Sequence, residues 1–200
     1  MKALVSQHHS SHHESMDKPM FGFWVYLMTD LALFSALFAT YAVLRNNNFG
    51  GPTGADIFDM PYVLAETIIL LLSSFTAGLA MLSARAGNKK MVITLFSVTF
   101  LLGLSFITME LLEFHKLVGE GYSWIVSGFL SAFFTLVGTH GLHISFGLLW
   151  MGIMIHQTAT KGLKSSVIQR LTLLSYFWHF LDIVWIFIFT IVYLMGASGV

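Results

Sequence analysis

Five long apolar stretches set the limits on what this chain can fold into. They run from Phe21 to Leu44, Tyr62 to Arg85, Met91 to His115, Val126 to Ile155 and Leu171 to Met195. A helix needs about 20 mostly apolar residues to cross the hydrocarbon core of a bilayer, and each stretch meets that length. The three prolines, Pro19, Pro52 and Pro61, all fall outside the stretches, where they break no helix. Composition agrees: 56% of residues are hydrophobic, only 10% are charged, and the mean hydropathy is +0.77. A soluble domain of this length has no way to bury so much apolar surface. The predicted fold is therefore an all-α integral membrane protein, with one five-helix transmembrane domain over residues 21–200. A polar, His-containing tail over residues 1–20 precedes it. The first apolar run is too long for a cleavable signal and lacks a small-residue cleavage site.

Lysine and arginine orient the spans. Lys2, Lys18, Arg85, Lys89, Lys90, Lys161, Lys164 and Arg170 fall on one side, and only Arg45 and Lys116 on the other. The positive-inside rule then places the N-terminus in the cytoplasm and, after five crossings, the C-terminus in the periplasm. The juxtamembrane lysines suit anionic lipid headgroups. A formal net charge of +0 gives nucleic acid no electrostatic footing. Cysteine is absent, which removes disulfides, thiolate metal sites and iron–sulfur ligation. The tail histidines His8, His9, His12 and His13 read either as a weak metal-binding tract or as part of a solvated, disordered segment; the composition favours the latter. Asn46 to Gly54 reads as a turn-rich external loop.

Every span carries ionisable residues. Asp30 lies in the first, Glu66 in the second, Glu110 and Glu113 in the third, His140 and His143 in the fourth, and His179 and Asp182 in the fifth. Such groups are costly at bilayer depth and usually face protein or water. The last pair sits in Trp178–Phe187, and its i, i+3 spacing puts both groups on one face, close enough to hydrogen-bond. Three i, i+3 pairs on three helices invite a metal reading. At about 1.5 Å per residue, however, the Glu110/Glu113 pair is expected on the order of 15 Å along the membrane normal from His140/His143. A single metal site, with ligand bonds of about 2 Å, does not bridge that gap. His140 and His179 at similar depth leave axial haem ligation open, and Asp30, His140, His179 and Asp182 are the residue types of a proton relay. The plainest reading is interhelical hydrogen bonding, worth about 0.6 kcal/mol per bond. Small residues, among them Gly128, Gly138, Gly141, Gly147 and Gly152, place the fourth span at the centre of the bundle. Tyr62, Trp124 and Tyr193 read as interfacial anchors.

The chain resembles a known family through Phe21–Asp30 (FGFWVYLMTD), Leu37–Leu44 (LFATYAVL), Gly51–Gly54 (GPTG), Met109–His115 (MELLEFH), Gly128–Phe134 (GFLSAFF), Gly138–His143 (GTHGLH) and Trp178–Trp185 (WHFLDIVW). The last two, in this order and spacing, are highly specific. The family is subunit III of the haem–copper terminal oxidases, in particular its bacterial cytochrome o (bo-type) ubiquinol oxidase branch. The resemblance implies a non-catalytic subunit in the bacterial cytoplasmic (inner) membrane, with no catalytic, cofactor-binding or metal residue of its own. Haems and copper would sit in the catalytic subunit I, which reduces oxygen and pumps protons, with subunits II and IV completing the complex. Subunit III would bind phospholipid and support assembly and sustained turnover. Seven-helix members begin with two further helices, so this chain resembles the short form. Asp30 matches the family's carbodiimide-reactive carboxylate, and Glu113 matches a family glutamate. The competing readings are a stand-alone membrane haem or metal oxidoreductase using His140, His143 and His179, and a small proton-coupled transporter using Asp30 and Asp182.

Overall fold

A computed structural model describes residues 2–47 and 54–198. The elements follow in order: α1 (Lys2–Leu44), a short α2 (Gly54–Ile57), α3 (Met60–Arg85), α4 (Lys89–Gly119), α5 (Gly128–Lys161), α6 (Ser165–Ile188), a π-helical segment (Phe189–Leu194) and α7 (Met195–Ser198). Five helices are long and apolar enough to cross a membrane: Met20–Leu44, Met60–Arg85, Lys89–Gly119, Gly128–Lys161 and Ser165–Ala197. No strand occurs among the described residues.

Local signals account for the boundaries. Pro61 stands in the first turn of α3, where its missing N–H costs nothing. The Asn88 side chain accepts from Met91 N to cap α4, and Ser127 accepts from Leu130 N to cap α5. Gly162, at φ 70°, ends α5 in a backbone conformation that side-chain-bearing residues rarely adopt. Short connections after α3 and α5 make successive helices antiparallel neighbours.

Helices α3, α4, α5 and α6 close into a ring, each packed on the next, and α1 lies outside it against α5 and α6. The core between them is aromatic. Phe106, Phe133, Phe177, Trp178, Trp185 and Tyr193 are fully buried. Lysine Nζ of Lys89 donates to Ala159 O at 2.8 Å, and Arg170 donates to Gln157 Oε1 at 3.2 Å. These bonds gather the basic residues of α4, α5 and α6 at one end of the bundle. Asp59 and Lys116 mark the other end.

Three expectations need correction. The backbone of the polar tail is helical rather than disordered: α1 runs back to Lys2, with Pro19 inside the helix. The metal reading of His8, His9, His12 and His13 lies outside the described side chains, and residues 48–53 of the predicted loop lie outside the described residues. Second, α4 runs on to Gly119 and α5 begins only at Gly128, so the helix ends differ from those drawn at the apolar limits. Third, Tyr193 is not an interfacial anchor. It is fully buried in the π-helical segment, whose extra residue per turn rotates it inward. Trp124 is exposed.

Candidate functional site

The buried polar residues gather in three places between helices. The first joins α1 to α5. His143 Nδ1 lies 2.8 Å from Thr139 O, and a carbonyl only accepts, so Nδ1 carries the proton of that bond. Nε2 then faces Asp30 Oδ1 at 3.7 Å. Phe34 of α1 packs on the His143 ring, with centroids 5.2 Å apart.

The second joins α3 to α6. His179 Nδ1 hydrogen-bonds Ser74 Oγ at 2.7 Å, while Asp182 Oδ2 stands 3.6 Å away, beyond hydrogen-bond length. The i, i+3 spacing does bring the two residues together, but the partner of His179 is on the neighbouring helix. The His179 side chain is 38% exposed, so it lies at the bundle surface. Beside it, Trp178 Nε1 donates to Ser73 Oγ at 3.1 Å, and Trp185 Nε1 donates to Thr67 Oγ1 at 3.0 Å.

The third occupies the Lys116 end, among α3, α4 and the π-helical segment. Tyr193 OH donates to Glu113 Oε2 at 2.9 Å. Glu66, Glu110 and Glu113 lie within Coulombic reach of one another and of Tyr193. Tyr62 OH donates to Met109 O at 2.9 Å. A cavity of about 270 Å³ opens here, lined by Ile57, Asp59, Tyr62, Glu113 and Lys116 together with leucines of α4.

The expected depth gap between the carboxylates and the histidines is not found. A Cβ built on Gly141, next to His140, would lie 2.9 Å from Glu110 Oε1. The reason is the pair of shifted helix ends. At about 1.5 Å per residue, Glu110 lies about 13 Å in from Gly119, and Gly141 about 20 Å in from Gly128. Side-chain reach closes the remaining few ångströms. The absent Cβ at Gly141 gives the Glu110 carboxylate its place.

Metal or haem ligation gains no support from this closeness. His140 is fully buried in an aromatic cage, stacked on Trp185 at 5.3 Å with Phe34 and Phe106 edge-on. His179 is already bonded to Ser74. Among the described residues, no three His, Cys, Asp or Glu side chains converge to hold a metal ion. The sequence reading passes over Thr67, Ser73, Ser74 and Gly103, and takes Tyr193 only as an anchor. The signal for three of them was present: Glu66/Ser73 and Thr67/Ser74 are i, i+7 pairs on α3, as Trp178/Trp185 are on α6.

The family model described as cytochrome c oxidase subunit III matches residues 3–197. The cytochrome bo(3) ubiquinol oxidase subunit 3 of Pseudomonas aeruginosa is 58% identical over 96% of this chain and 92% of its own length. The protein of the same description from Pseudomonas putida is 54% identical over 92% of this chain and 89% of its own. The cytochrome c oxidase subunit 3 of Bacillus sp. (strain PS3) is 43% identical over 89% of this chain and 86% of its own.

Proposed function

Because the chain belongs to the cytochrome c oxidase subunit III family, we propose that it is the non-catalytic third subunit of a proton-pumping ubiquinol oxidase in a bacterial cytoplasmic membrane. The observation that carries the quinol assignment is the 58% identity, over nearly the full length, to a ubiquinol oxidase subunit 3. A relative at 43% identity is a cytochrome c oxidase subunit 3, so the assignment rests on the degree of likeness. Oxygen reduction, haems and copper belong in this reading to the catalytic subunit I, with subunits II and IV alongside. The chain's own residues tie helices together and support assembly and turnover.

Phospholipid fits the outward-facing apolar groove between α4 and α5. Phe100, Leu104, Leu148, Leu149 and Ile153 line it, with His156 toward the lysine-rich end. An acyl chain laid along these side chains keeps its headgroup near the basic residues, which favour anionic lipids.

The test of the whole reading is purification through a tag on this chain in mild detergent. A co-purifying complex that contains haem and copper and oxidises ubiquinol is expected. A chain that purifies alone, with a haem spectrum of its own, overturns it. Orientation follows from the charge asymmetry: the lysine-rich end should face the cytoplasm, and a periplasm-active reporter fused after Val200 should be active. A reporter active only in the cytoplasm reverses the assignment.

Asp30→Asn is expected to leave quinol-driven oxygen uptake largely intact. The substitution keeps size and hydrogen-bonding capacity but removes the charge facing His143. The loss of one interhelical contact is about 0.6 kcal/mol, too small to disassemble a complex. Oxygen uptake and proton release, measured together on complexes of full subunit content, decide the matter. A fall to a small residue of normal activity in an intact complex would make Asp30 an essential proton carrier.

A further inference from the structure

Beyond a supporting role in the oxidase, one part of the bundle has the chemistry of a site that interhelical bonding does not explain. Glu66 is 0% exposed, Glu110 is 3% exposed, and none of their four carboxylate oxygens has a hydrogen-bond partner. Both lie within Coulombic reach of Glu113, which accepts from Tyr193. Glue residues would be bonded, as Ser73, Ser74 and Thr67 are. These carboxylates are instead left without partners, and their neighbour Glu113 lines a cavity at the Lys116 end of the bundle.

The surroundings do not compensate three negative charges. From α3 come Tyr62 and Glu66, from α4 Glu110, Glu113 and Lys116, from the connection before α3 Asp59, and from the π-helical segment Tyr193. From α5 comes His140, one ring further in, stacked on the Trp185 that also contacts Tyr193. The only cation of this set, Lys116, is at the cavity wall and opposed by Asp59. Like charges crowded out of water are not all ionised together. Protons are the one ligand that neutralises them without the ligand set a metal needs, and no such set is found among the described residues.

We infer that Glu66, Glu110 and Glu113 form a proton-storing site that exchanges with the aqueous phase at the Lys116 end through the cavity beside Glu113. In each exchange a carboxylic O–H bond breaks, its proton passes to a cavity water to form hydronium, and the electron pair stays on the carboxylate. Uptake is the reverse. Glu113 lines the cavity and lies within Coulombic reach of the buried Glu66 and Glu110, so it relays the proton. Tyr193 holds the Glu113 carboxylate in position through its hydroxyl. The π-helical turn is what brings that hydroxyl to bear.

Infrared difference spectroscopy on the intact membrane complex tests this without relying on turnover, so its failure leaves the oxidase reading untouched. A protonated-carboxyl carbonyl band is expected near neutral pH, and it should move in deuterium oxide because the protons exchange. Glu66→Gln and Glu110→Gln should each lower its intensity. Tyr193→Phe, which keeps the buried ring and removes only the hydroxyl, should shift its frequency. If either Gln variant does not assemble, Tyr193→Phe carries the test alone. A band unchanged in the variants that assemble, or one that does not move in deuterium oxide, overturns the proposal.

Discussion

Replacing Trp178 by alanine is expected to destabilise the bundle by about 3–5 kcal/mol, the usual cost of deleting a large buried aromatic ring. Total stabilities are only about 5–15 kcal/mol, so little assembled chain should remain in the membrane. Trp178 is fully buried on α6 and packs against Ser73 of α3, Gly103 of α4 and Gly147 of α5. Its Nε1 donates to Ser73 Oγ of α3. A Cβ on Gly103 of α4 would lie 2.8 Å from its ring, and one on Gly147 of α5 would lie 3.2 Å from it. Trp178→Phe separates the two contributions. It keeps most of the ring and loses the N–H, so the bond term of about 0.6 kcal/mol, rarely above about 1.7, should dominate the loss. Ser73 is not orphaned by that change, because its hydroxyl donates to Leu70 O. Unfolding in mixed detergent micelles, followed by circular dichroism, measures both variants. If alanine costs no more than phenylalanine, Trp178 does not tie the ring together.

The sequence showed the spans, because their hydrophobic length is a property of each segment alone. It also showed which residues break the apolar pattern: Asp30, Glu66, Glu110, Glu113, His140, Asp182 and their neighbours are intramembrane, and these six are buried. Their partners were harder to read. Who meets whom depends on the relative sliding and rotation of helices, and a shift of a few residues at a helix end moves a side chain by several ångströms. That is why Glu110 seemed far from the fourth span and lies against Gly141. Tyr193 failed for a related reason. A straight α-helix carries it to the membrane edge, whereas the π-helical turn changes the angular register of the last turns and sends it to Glu113. The i, i+3 rule for His179 and Asp182 succeeded in placing them together because it is local, and missed Ser74 because that bond crosses helices.

The packing of α4 on α6 leads to a second large effect, of opposite origin. Gly103→Ala should destabilise by about 1–3 kcal/mol through overpacking, although alanine is the better helix former by about 1 kcal/mol. The added methyl would stand 2.8 Å from the outer edge of the Trp178 ring and 2.9 Å from a Leu148 methyl. An indole fixed by a hydrogen bond to Ser73 has little freedom to retreat. The ring edge that the methyl meets is the six-membered part of the indole, which a phenyl ring at position 178 does not reach as far to fill. Combining Gly103→Ala with Trp178→Phe should therefore relieve the clash, with the alanine methyl occupying space that the smaller ring vacates. The double variant is expected to be more stable than the sum of the single losses by about 0.5–3 kcal/mol, the range found for residues in direct contact. The four unfolding midpoints of this cycle measure that coupling, and strict additivity would mean that Gly103 is small for some reason other than Trp178. A rescue would identify the glycine as the steric partner of the tryptophan. The two residues would then form one packing unit that joins α4 to α6 across the ring.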